Sequence, residues 1–296
     1  MRRTADRAEA AAARLFLAPA LGLIGACFFL PVLAGLVLSL TDFDIYAVAA
    51  PEVTRFIGFG NYRQALGDPV FWKALGNTFF FVLVGGPLSV AASLGAALLV
   101  SSRLARIPGF YRSVYFAPVA TTLVAMAVVW RYLYHPRYGL LNHALALVGL
   151  GPVDWLGDPR WAMPAIVLFS VWKNFGTNML IFIAGLQSIP AELSEAAALD
   201  GAGWWTRFRH VTLPSLAPTF LFVTVLTMLN QFQIFAEPYV MTQGGPLKST
   251  TTIVLLMYEE GFRWWRMGHA AAIACLLFVI MLAGTLLQLR LQRESR

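Results

Sequence analysis

The sequence predicts an all-α, polytopic membrane protein with six transmembrane helices. Of its 296 residues, 58% are hydrophobic and 12% are charged, against about 25% charged residues in an ordinary soluble domain. The mean hydropathy of +0.67 leaves too little polar surface to cover a soluble domain. Six separate stretches of about 20 mostly apolar residues are spread along the chain.

Each stretch is long enough to cross about 30 Å of hydrocarbon. The first carries no charge, and the second is interrupted only by two glycines and a proline. The third is bounded by Arg112 and Arg131, whose long side chains can reach the two interfaces. The fourth has Lys173 in its middle, the fifth carries amides near its end, and the sixth is uniformly apolar. The spans are expected at residues 15–40, 78–100, 113–130, 161–186, 216–236 and 270–289.

The N-terminal segment raises the question of a cleaved signal, because arginines precede an apolar run in which Ile24 to Cys27 loosely resembles a lipoprotein cleavage site. The run stays apolar to Leu40, whereas the hydrophobic part of a secretory signal is about 7 to 15 residues long. We therefore expect an uncleaved first helix. Cys27 and Cys275 each lie in a long apolar run and indicate neither a disulfide framework nor a metal site.

Lys and Arg residues are divided unequally between alternate loops. The side that holds the N-terminus, the loops after helices two and four, and the tail carries twelve of them, whereas the other side carries eight. Because cytoplasmic loops carry the excess, both termini and the loop after helix four are expected in the cytoplasm. The net charge of +7 is not gathered into a basic patch, so no nucleic-acid partner is expected. The outer loops are too short for separate domains, and residues 1–296 are expected to form one transmembrane domain.

The sequence lacks the motifs of nucleotide binding and of common hydrolases. It has no G-x-x-x-x-G-K-[ST] loop, no H-E-x-x-H pair and no G-x-S-x-G elbow. The four histidines are too scattered for ligand spacing. We expect no catalytic residue, no metal site and no cofactor in this chain, which is not expected to be an enzyme. If it moves a solute uphill, the energy must come from an ion gradient or a separate ATPase.

The cytoplasmic loop at residues 190–214 begins with the pattern of a short helix and a hinge. Pro190 suits a first helical turn, and the alanines before Leu199 are strong helix formers. Asp200-Gly201 then breaks the helix, because glycine tolerates the backbone angles of a sharp turn.

A second short helix is expected after this hinge. Trp204, Phe208 and Val211 recur at helical spacing and form one apolar stripe, and Pro214 is expected to end the helix. On these grounds alone, the loop is either a pair of amphipathic helices in the headgroup region or a docking surface for a partner.

The order of residues in this loop resembles the EAA signature of permease subunits in binding-protein-dependent ABC importers. The matching residues are Glu195-Ala196-Ala197, Asp200-Gly201-Ala202 and Leu213-Pro214, followed by Pro218. In that family the loop forms coupling helices that insert into a cleft on the ATPase subunit. The resemblance implies a type I ABC importer permease fold. It also implies that the ATPase-coupling residues are Glu195, Ala196, Ala197, Asp200, Gly201, Trp204, Phe208, Leu213 and Pro214.

Further residues look like the carbohydrate-uptake branch of that family, which includes maltooligosaccharide, lactose and glycerol-3-phosphate importers. They are Trp172-Lys173, Gly139 to Asn142, Gly185 to Pro190, Gly244 to Pro246 and Ser249 to Thr252. The likeness runs from about Leu15 to Leu289. It implies a multi-pass subunit of a prokaryotic inner membrane that pairs with a second permease, two ATPase subunits that bind ATP and Mg, and an extracytoplasmic binding protein. The implied cargo is a sugar or oligosaccharide, with glycerol 3-phosphate, a polyol or another small solute as alternatives.

Polar side chains within the spans mark a candidate substrate path. Such groups are costly in a bilayer and usually face a wet cavity or the bundle interior. Amides and hydroxyls suit a neutral, hydroxyl-rich solute, and aromatic rings could stack on a sugar. The alternative is that the amides hold helices together, at about 0.6 kcal/mol each. The candidates are Trp172, Lys173, Asn174 and Asn178 in helix four, then Thr227, Asn230, Gln233 and Glu237, expected on one face of helix five, and Tyr239 beyond them.

Lys173 has two interpretations. It lies about 18 Å from Trp161 along helix four, too deep to reach that interface easily. It either binds an anionic substrate or pairs internally with a carboxylate or backbone carbonyls, and the recurrence of Trp-Lys in the resembled family favours the internal role. A stand-alone secondary transporter is the alternative of another class. It would need ion-coupling carboxylates or broken helices at mid-depth, and the expected spans hold no acidic residue there.

Overall fold

The computed structural model describes residues 2–49, 52, 54–102 and 105–294. These residues form helices joined by loops. Among them, one isolated antiparallel β-bridge pairs Thr41 with Phe56. They separate into two compact units, Met1–Asp68 with Met257–Phe278, and Pro69–Leu256 with Val279–Arg296. The prediction of an all-helical membrane fold is confirmed.

The first unit begins with α1 (Arg2–Ile24), which continues through a π-helical turn (Gly25–Phe29) into α2 (Leu30–Leu38). The short helices α3 (Ile45–Ala49) and α4 (Gly60–Gly67) follow.

Buried Asn61 in α4 holds the loop that leaves α2. Its side-chain nitrogen donates to the carbonyl oxygens of Ser39, at 2.9 Å, and Thr41, at 2.7 Å. The hydroxyls of Ser39 and Tyr62 share a further hydrogen bond of 2.7 Å. The bond to Ser39 satisfies a carbonyl group that the end of α2 leaves without an intrahelical partner.

The second unit contains most of the remaining helices. They are α5 (Pro69–Phe80), α6 (Gly86–Ser101), α7 (Pro108–Ala120), α8 (Leu123–Leu133), α9 (Leu140–Leu147), α10 (Ala162–Gln187), α11 (Ala191–Leu199), α12 (Trp204–Arg207), α13 (Leu213–Ser215), α14 (Ala217–Phe232) and α15 (Ala236–Met241). The last two helices, α16 (Ile253–Tyr258) and α17 (Met267–Glu294), each have residues in both units.

The central helix of the second unit is α10, which packs against α6, α7 and α14. Phe169 and Phe182 on this helix are fully buried. Helices α7 and α14 approach α10 closely at glycines of α10, as is typical where membrane helices associate by close packing. A Cβ atom at Gly176 would meet the carbonyl oxygen of Tyr115 in α7, and one at Gly185 would lie 2.6 Å from the hydroxyl of Thr219 in α14.

Among the described residues, helices long and apolar enough to cross a membrane occur in four of the six expected regions. Continuous apolar helical runs cover Ala12–Ser39, Pro69–Ser101, Ala162–Gln187 and Met267–Arg290. The other two regions are bent pairs. α7 and α8 meet at 97°, and Trp204–Ser215 meets α14 at 69°. Six spans are therefore consistent with the structure if each bent pair counts as one.

The third span is broken, whereas the sequence predicts a continuous helix over residues 113–130. Thr121 and Thr122, between α7 and α8, both have extended backbone angles. The hydroxyl of Thr121 donates to the carbonyl oxygen of Pro118 at 2.7 Å. A threonine hydroxyl bonded to the nearby backbone competes with helical hydrogen bonding, which explains a break that hydropathy does not reveal.

We expect Gly176→Ala to destabilise the protein, because the added methyl would force α10 away from α7. The matched control is Gly95→Ala in α6, where the added Cβ would meet no atom within 4 Å. Overpacking typically costs about 1–3 kcal/mol, whereas Gly→Ala at an open helical site gains up to about 1 kcal/mol. Thermal unfolding in mild detergent should therefore move in opposite directions for the two variants. Equal shifts would contradict the close approach of these helices.

Candidate functional site

A polar cavity of about 410 Å³ lies between α10 and α14 in the second unit. Its wall combines amides, hydroxyls, one carboxylate and a few apolar side chains among the residues that the structure describes. They are Phe81, Ser89, Ser170, Asn174, Thr177, Asn178, Thr227, Asn230, Gln231, Gln233, Ile234, Phe235, Ala236 and Glu237.

Helix α10 contributes one polar stripe to this wall. Ser170, Asn174, Thr177 and Asn178 are spaced by three or four residues or are adjacent, so they share one helix face. The side-chain nitrogen of Asn174 donates to the carbonyl oxygen of Ser170 at 3.0 Å. Asn178 donates to the hydroxyl oxygen of Thr227 at 2.9 Å, which links α10 to α14 across one side of the cavity.

The sequence predicts that Thr227, Asn230, Gln233 and Glu237 form a second stripe on one face of helix five. That prediction is wrong, because these residues do not lie on one continuous helix. Helix α14 ends at Phe232, Gln233 follows it, and Glu237 lies in the first turn of α15. Pro238 has no N–H to donate to the carbonyl oxygen of Ile234. The hydroxyl of Thr252 donates to that carbonyl instead, at 2.9 Å.

The cavity nevertheless collects most of the predicted path residues. Asn174, Asn178, Thr227, Asn230, Gln233 and Glu237 all line it. Within the described part of the chain, Trp172, Lys173 and Tyr239 do not. Trp172 packs against Trp130, with ring centroids 5.1 Å apart, and Tyr239 stacks on Phe235, with ring centroids 5.2 Å apart.

Lys173 is buried beside the broken third span. Its side chain is 5% exposed, and its ammonium group donates to the carbonyl oxygen of Val119 at 3.3 Å. Val119 lies in the last turn of α7, where backbone carbonyls lack intrahelical partners and carry partial negative charge. The ammonium group therefore makes its hydrogen bond to the end of α7.

Gln231 is the main cavity residue absent from the sequence-based candidates. It is 8% exposed, and its side-chain oxygen has no hydrogen-bond partner among the described residues. That oxygen lies 3.3 Å from the position of a Cβ at Gly85 and 3.4 Å from one at Gly86. The adjacent glycines of the second span therefore leave room for the amide of Gln231. This glycine pair is the sequence feature from which the position of the amide could have been predicted.

The loop at residues 190–214 has the helix, hinge and helix that its sequence predicts. Gly201 follows α11 with a φ of +80°, a conformation that glycine adopts without strain. The N–H of Gly201 donates to the carbonyl oxygen of Ala198, and the N–H of Ala202 donates to that of Ala197, at 2.9 Å. This pair of bonds is a Schellman motif, which terminates a helix and reverses the chain.

The sequence predicts that the second helix of the loop ends at Pro214, but the helical segment continues to Ser215. A π-helical turn at Phe208–Thr212 precedes the proline and shifts the hydrogen-bond register. Pro214 fits after this turn because a proline has no backbone N–H that would need a partner in the shifted register.

Large side chains of this loop are exposed. Leu199 is 90% exposed and Trp204 is 64% exposed, and Trp204 stacks on Phe208 with the ring planes at 6°. Glu195, Ala196 and Asp200 are also exposed. Apolar surface of this kind marks a contact with a partner or a membrane.

Comparisons with known proteins agree on one family. Residues 89–296 match the family described as "Binding-protein-dependent transport system inner membrane component". The probable ABC transporter permease protein YurN of Bacillus subtilis (strain 168) is 35% identical over 285 residues, 95% of this chain and 96% of that protein. The lactose transport system permease protein LacF of Rhizobium radiobacter is 33% identical over 287 residues, 95% of this chain and 94% of that protein.

A solved structure shares the fold. It is a chain of a bacterial ABC transporter involved in the import of the acidic polysaccharide alginate, and it is 22% identical. It superposes with a TM-score of 0.81 over 99% of both chains. With the family match and the relatives covered over nearly their full length, the chain belongs to the inner membrane components of binding-protein-dependent transport systems and is a transport component, not an enzyme.

Proposed function

We propose that this chain is the permease subunit of an ATP-driven carbohydrate importer and forms half of its translocation path. The observation that carries this proposal is the polar cavity between α10 and α14. Its amides and hydroxyls can both donate and accept hydrogen bonds, as recognition of sugar hydroxyls requires. Relatives named for lactose and for trehalose/maltose transport support the same cargo class.

The open side of the cavity is best explained by a second permease. Asn174, Thr177, Asn230 and Gln233 are exposed in this chain, although polar side chains that face lipid are costly. A related subunit that covers this face would complete a wet path. Both described units then belong to one permease domain. In the assembled importer this domain works with two ATPase subunits, which bind ATP and Mg, and with an extracytoplasmic binding protein.

The proposed orientation places both termini and the loop at residues 190–214 in the cytoplasm. The distribution of twelve Lys and Arg residues against eight supports it. Arg103 and Arg296, which contribute to the twelve, lie outside the described residues. In this orientation the exposed loop is available to ATPase subunits.

We propose that the loop docks on the ATPase through its EAA residues. Glu195, Asp200 and Trp204 are exposed on α11, the hinge and α12. The Schellman motif at Gly201 fixes the angle between these helices, so a motion imposed on α11 passes to α12 and, through the following turn, to α14. The loop thereby connects nucleotide hydrolysis to the helix that lines the cavity.

We expect Glu195→Lys and Gly201→Asp to abolish uptake while the subunit stays in the membrane at normal abundance. Losing one partner of a buried charged contact at an interface costs about 2–5 kcal/mol, and a side chain at the φ of +80° is strained. Glu192→Lys and Gly203→Asp are matched controls, because Glu192 precedes the motif and Gly203 has φ of −67°. Solute uptake and ATPase co-purification should be measured together. Full transport by both test variants with the ATPase bound would refute the docking role.

For the path, we expect Asn230→Leu and Gln233→Leu to impair transport without loss of the assembled complex. Both amides line the cavity, and leucine cannot bond a sugar hydroxyl. Thr224→Val is the control on the same helix, because the Thr224 hydroxyl bonds the Phe220 carbonyl oxygen at 2.7 Å and does not line the cavity. Reconstituted complexes should be assayed for substrate turnover and basal ATPase activity.

Two outcomes of this experiment would argue against the path. Normal turnover by both leucine variants would remove these amides from it. Loss of turnover together with loss of the complex would instead assign them to helix–helix packing.

Glycerol 3-phosphate, a polyol or another small solute is the alternative cargo. The sn-glycerol-3-phosphate transport system permease protein UgpA of Agrobacterium fabrum is 34% identical over 280 residues. This similarity supports glycerol 3-phosphate as the alternative cargo. Lys173 does not supply a cation for a phosphate in the described cavity, because its ammonium group bonds the end of α7. We therefore propose a structural role for Lys173. Family membership argues against a stand-alone secondary transporter.

A further inference from the structure

A second polar cavity, of about 310 Å³, lies at the end of α8 and in the turn that follows it. Its described wall is formed by Val128, Arg131, Tyr132, His135 and Tyr138. This α8 cavity shares none of these residues with the cavity between α10 and α14. No carboxylate lies in its described wall, and an arginine stays protonated in proteins. The wall of the α8 cavity therefore carries a positive charge.

The polar side chains of the α8 cavity all offer hydrogen-bond donors. The guanidinium group of Arg131 only donates, and it forms no salt bridge in the described part of the chain. The backbone N–H of Arg137 donates to Nδ1 of His135 at 3.2 Å, so the neutral imidazole carries its proton on Nε2 and donates there. Tyr132 and Tyr138 add two phenolic hydroxyls. A positively charged set of donors fits a phosphate group, which arginine binds strongly.

The turn between α8 and α9 holds two of these donors in a fixed place. A Cβ atom at Gly139 would lie 2.7 Å from the backbone nitrogen of His135, so glycine permits this close approach. Buried Asn142 donates to the carbonyl oxygen of Pro136 at 3.1 Å. The rings of His135 and Tyr138 stack with their centroids 3.4 Å apart. Gly139 and Asn142 therefore shape this side of the α8 cavity.

An exposed apolar surface of α8 lies next to the donors. Val124 and Val128 are exposed and one helical turn apart. Arg131 and Tyr132 follow one turn later, so all four residues share a face. This face belongs to the third span, whose outer boundary is expected at Arg131. A phospholipid has the same order of groups, with an apolar chain in the bilayer and a phosphate at its surface, whereas a soluble phosphate would use only the donors.

From this arrangement we propose that the α8 cavity binds an anionic phospholipid of the outer leaflet. Arg131 and His135 donate to its phosphate, the two tyrosine hydroxyls hold its headgroup, and an acyl chain lies along Val124 and Val128. A glycerol headgroup fits better than one with a cation, because the described wall offers no carboxylate to a cation. The bound lipid holds the end of the broken third span at the membrane surface. The site is independent of the cargo and takes only the orientation of the chain from the proposed function.

Photolabelling of the assembled transporter tests the lipid site. The complex is reconstituted into phosphatidylcholine nanodiscs with a trace of phosphatidylglycerol that carries a diazirine on its acyl chain, and labelled residues are mapped by mass spectrometry. We expect labelling within residues 124–138. Replacing half of the matrix lipid by unlabelled phosphatidylglycerol should reduce this labelling about fivefold, as a roughly tenfold selectivity for the anionic lipid predicts. Phosphatidylethanolamine should leave it within about twofold.

Three outcomes of the photolabelling would overturn the proposal. The first is the absence of label from residues 124–138, and the second is an equal reduction by the two competing lipids. The third is an equal reduction by millimolar inorganic phosphate, which would assign the site to a soluble anion.

Two arginine variants separate the α8 cavity from general surface charge. Arg131→Gln removes the charged donor and should reduce the labelling about tenfold. Arg137→Gln is the matched control, because it removes the same charge from the same turn, outside the described wall, and keeps the backbone N–H that bonds His135. It should change the labelling by less than about twofold. Equal losses in both variants would contradict the site, and if Arg131→Gln does not assemble, lipid competition in the unaltered transporter still decides.

The alternative occupant of the α8 cavity is a neighbouring protein subunit. On irradiation, p-benzoylphenylalanine in place of Tyr138 forms a covalent adduct with the molecule that lies in the cavity. An adduct with the mass of phosphatidylglycerol supports the proposal, whereas an adduct with another subunit would overturn it.

Discussion

The cost of placing polar groups in a bilayer is the constraint on which the rest of this structure depends. Asn174, Asn178 and Asn230 lie in segments that are otherwise apolar enough to span a membrane. Such side chains need either protein partners or water. Among the described residues, hydrogen bonds from Asn178 to Thr227 and from Ser170 to Glu237 join the two stripes, and the other amides border the cavity. The helices are thus arranged around a space that has to hold water or a polar solute.

Close packing behind the cavity fixes this polar face in position. Gly176 lets α7 approach α10, Gly185 lets α14 approach it, and Lys173 ties the end of α7 to the same helix. Because packed helices change arrangement in discrete steps more readily than they deform, α10 is suited to serve as a rigid wall. Helix α14 follows the loop at residues 190–214 after a 69° bend. We propose that the coupling between ATP hydrolysis and cargo movement runs through this bend.

Much of the fold could be predicted from the sequence, because membrane helices follow from hydropathy over long windows. The fourth span was expected at residues 161–186 and is the helix Ala162–Gln187. The hinge at Gly201 also followed from its residue type. The breaks at Thr121 and after Phe232 could not be predicted, because they depend on hydrogen bonds to Pro118 and from the distant Thr252. For the same reason, the sequence could not show that the ammonium group of Lys173 bonds the carbonyl oxygen of Val119 and lies outside the cavity wall.

Water accessibility tests most directly whether the polar face of α10 and α14 borders an aqueous path. Single cysteines at Asn174 and Thr177 would be compared with cysteines at Leu168 and Phe222, which are 47% and 53% exposed in this chain but apolar. In the assembled transporter with both native cysteines replaced, a membrane-impermeant maleimide should label the first two during turnover and leave the other two unmodified. Labelling of positions 168 and 222 with protection of 174 and 177 would contradict the account.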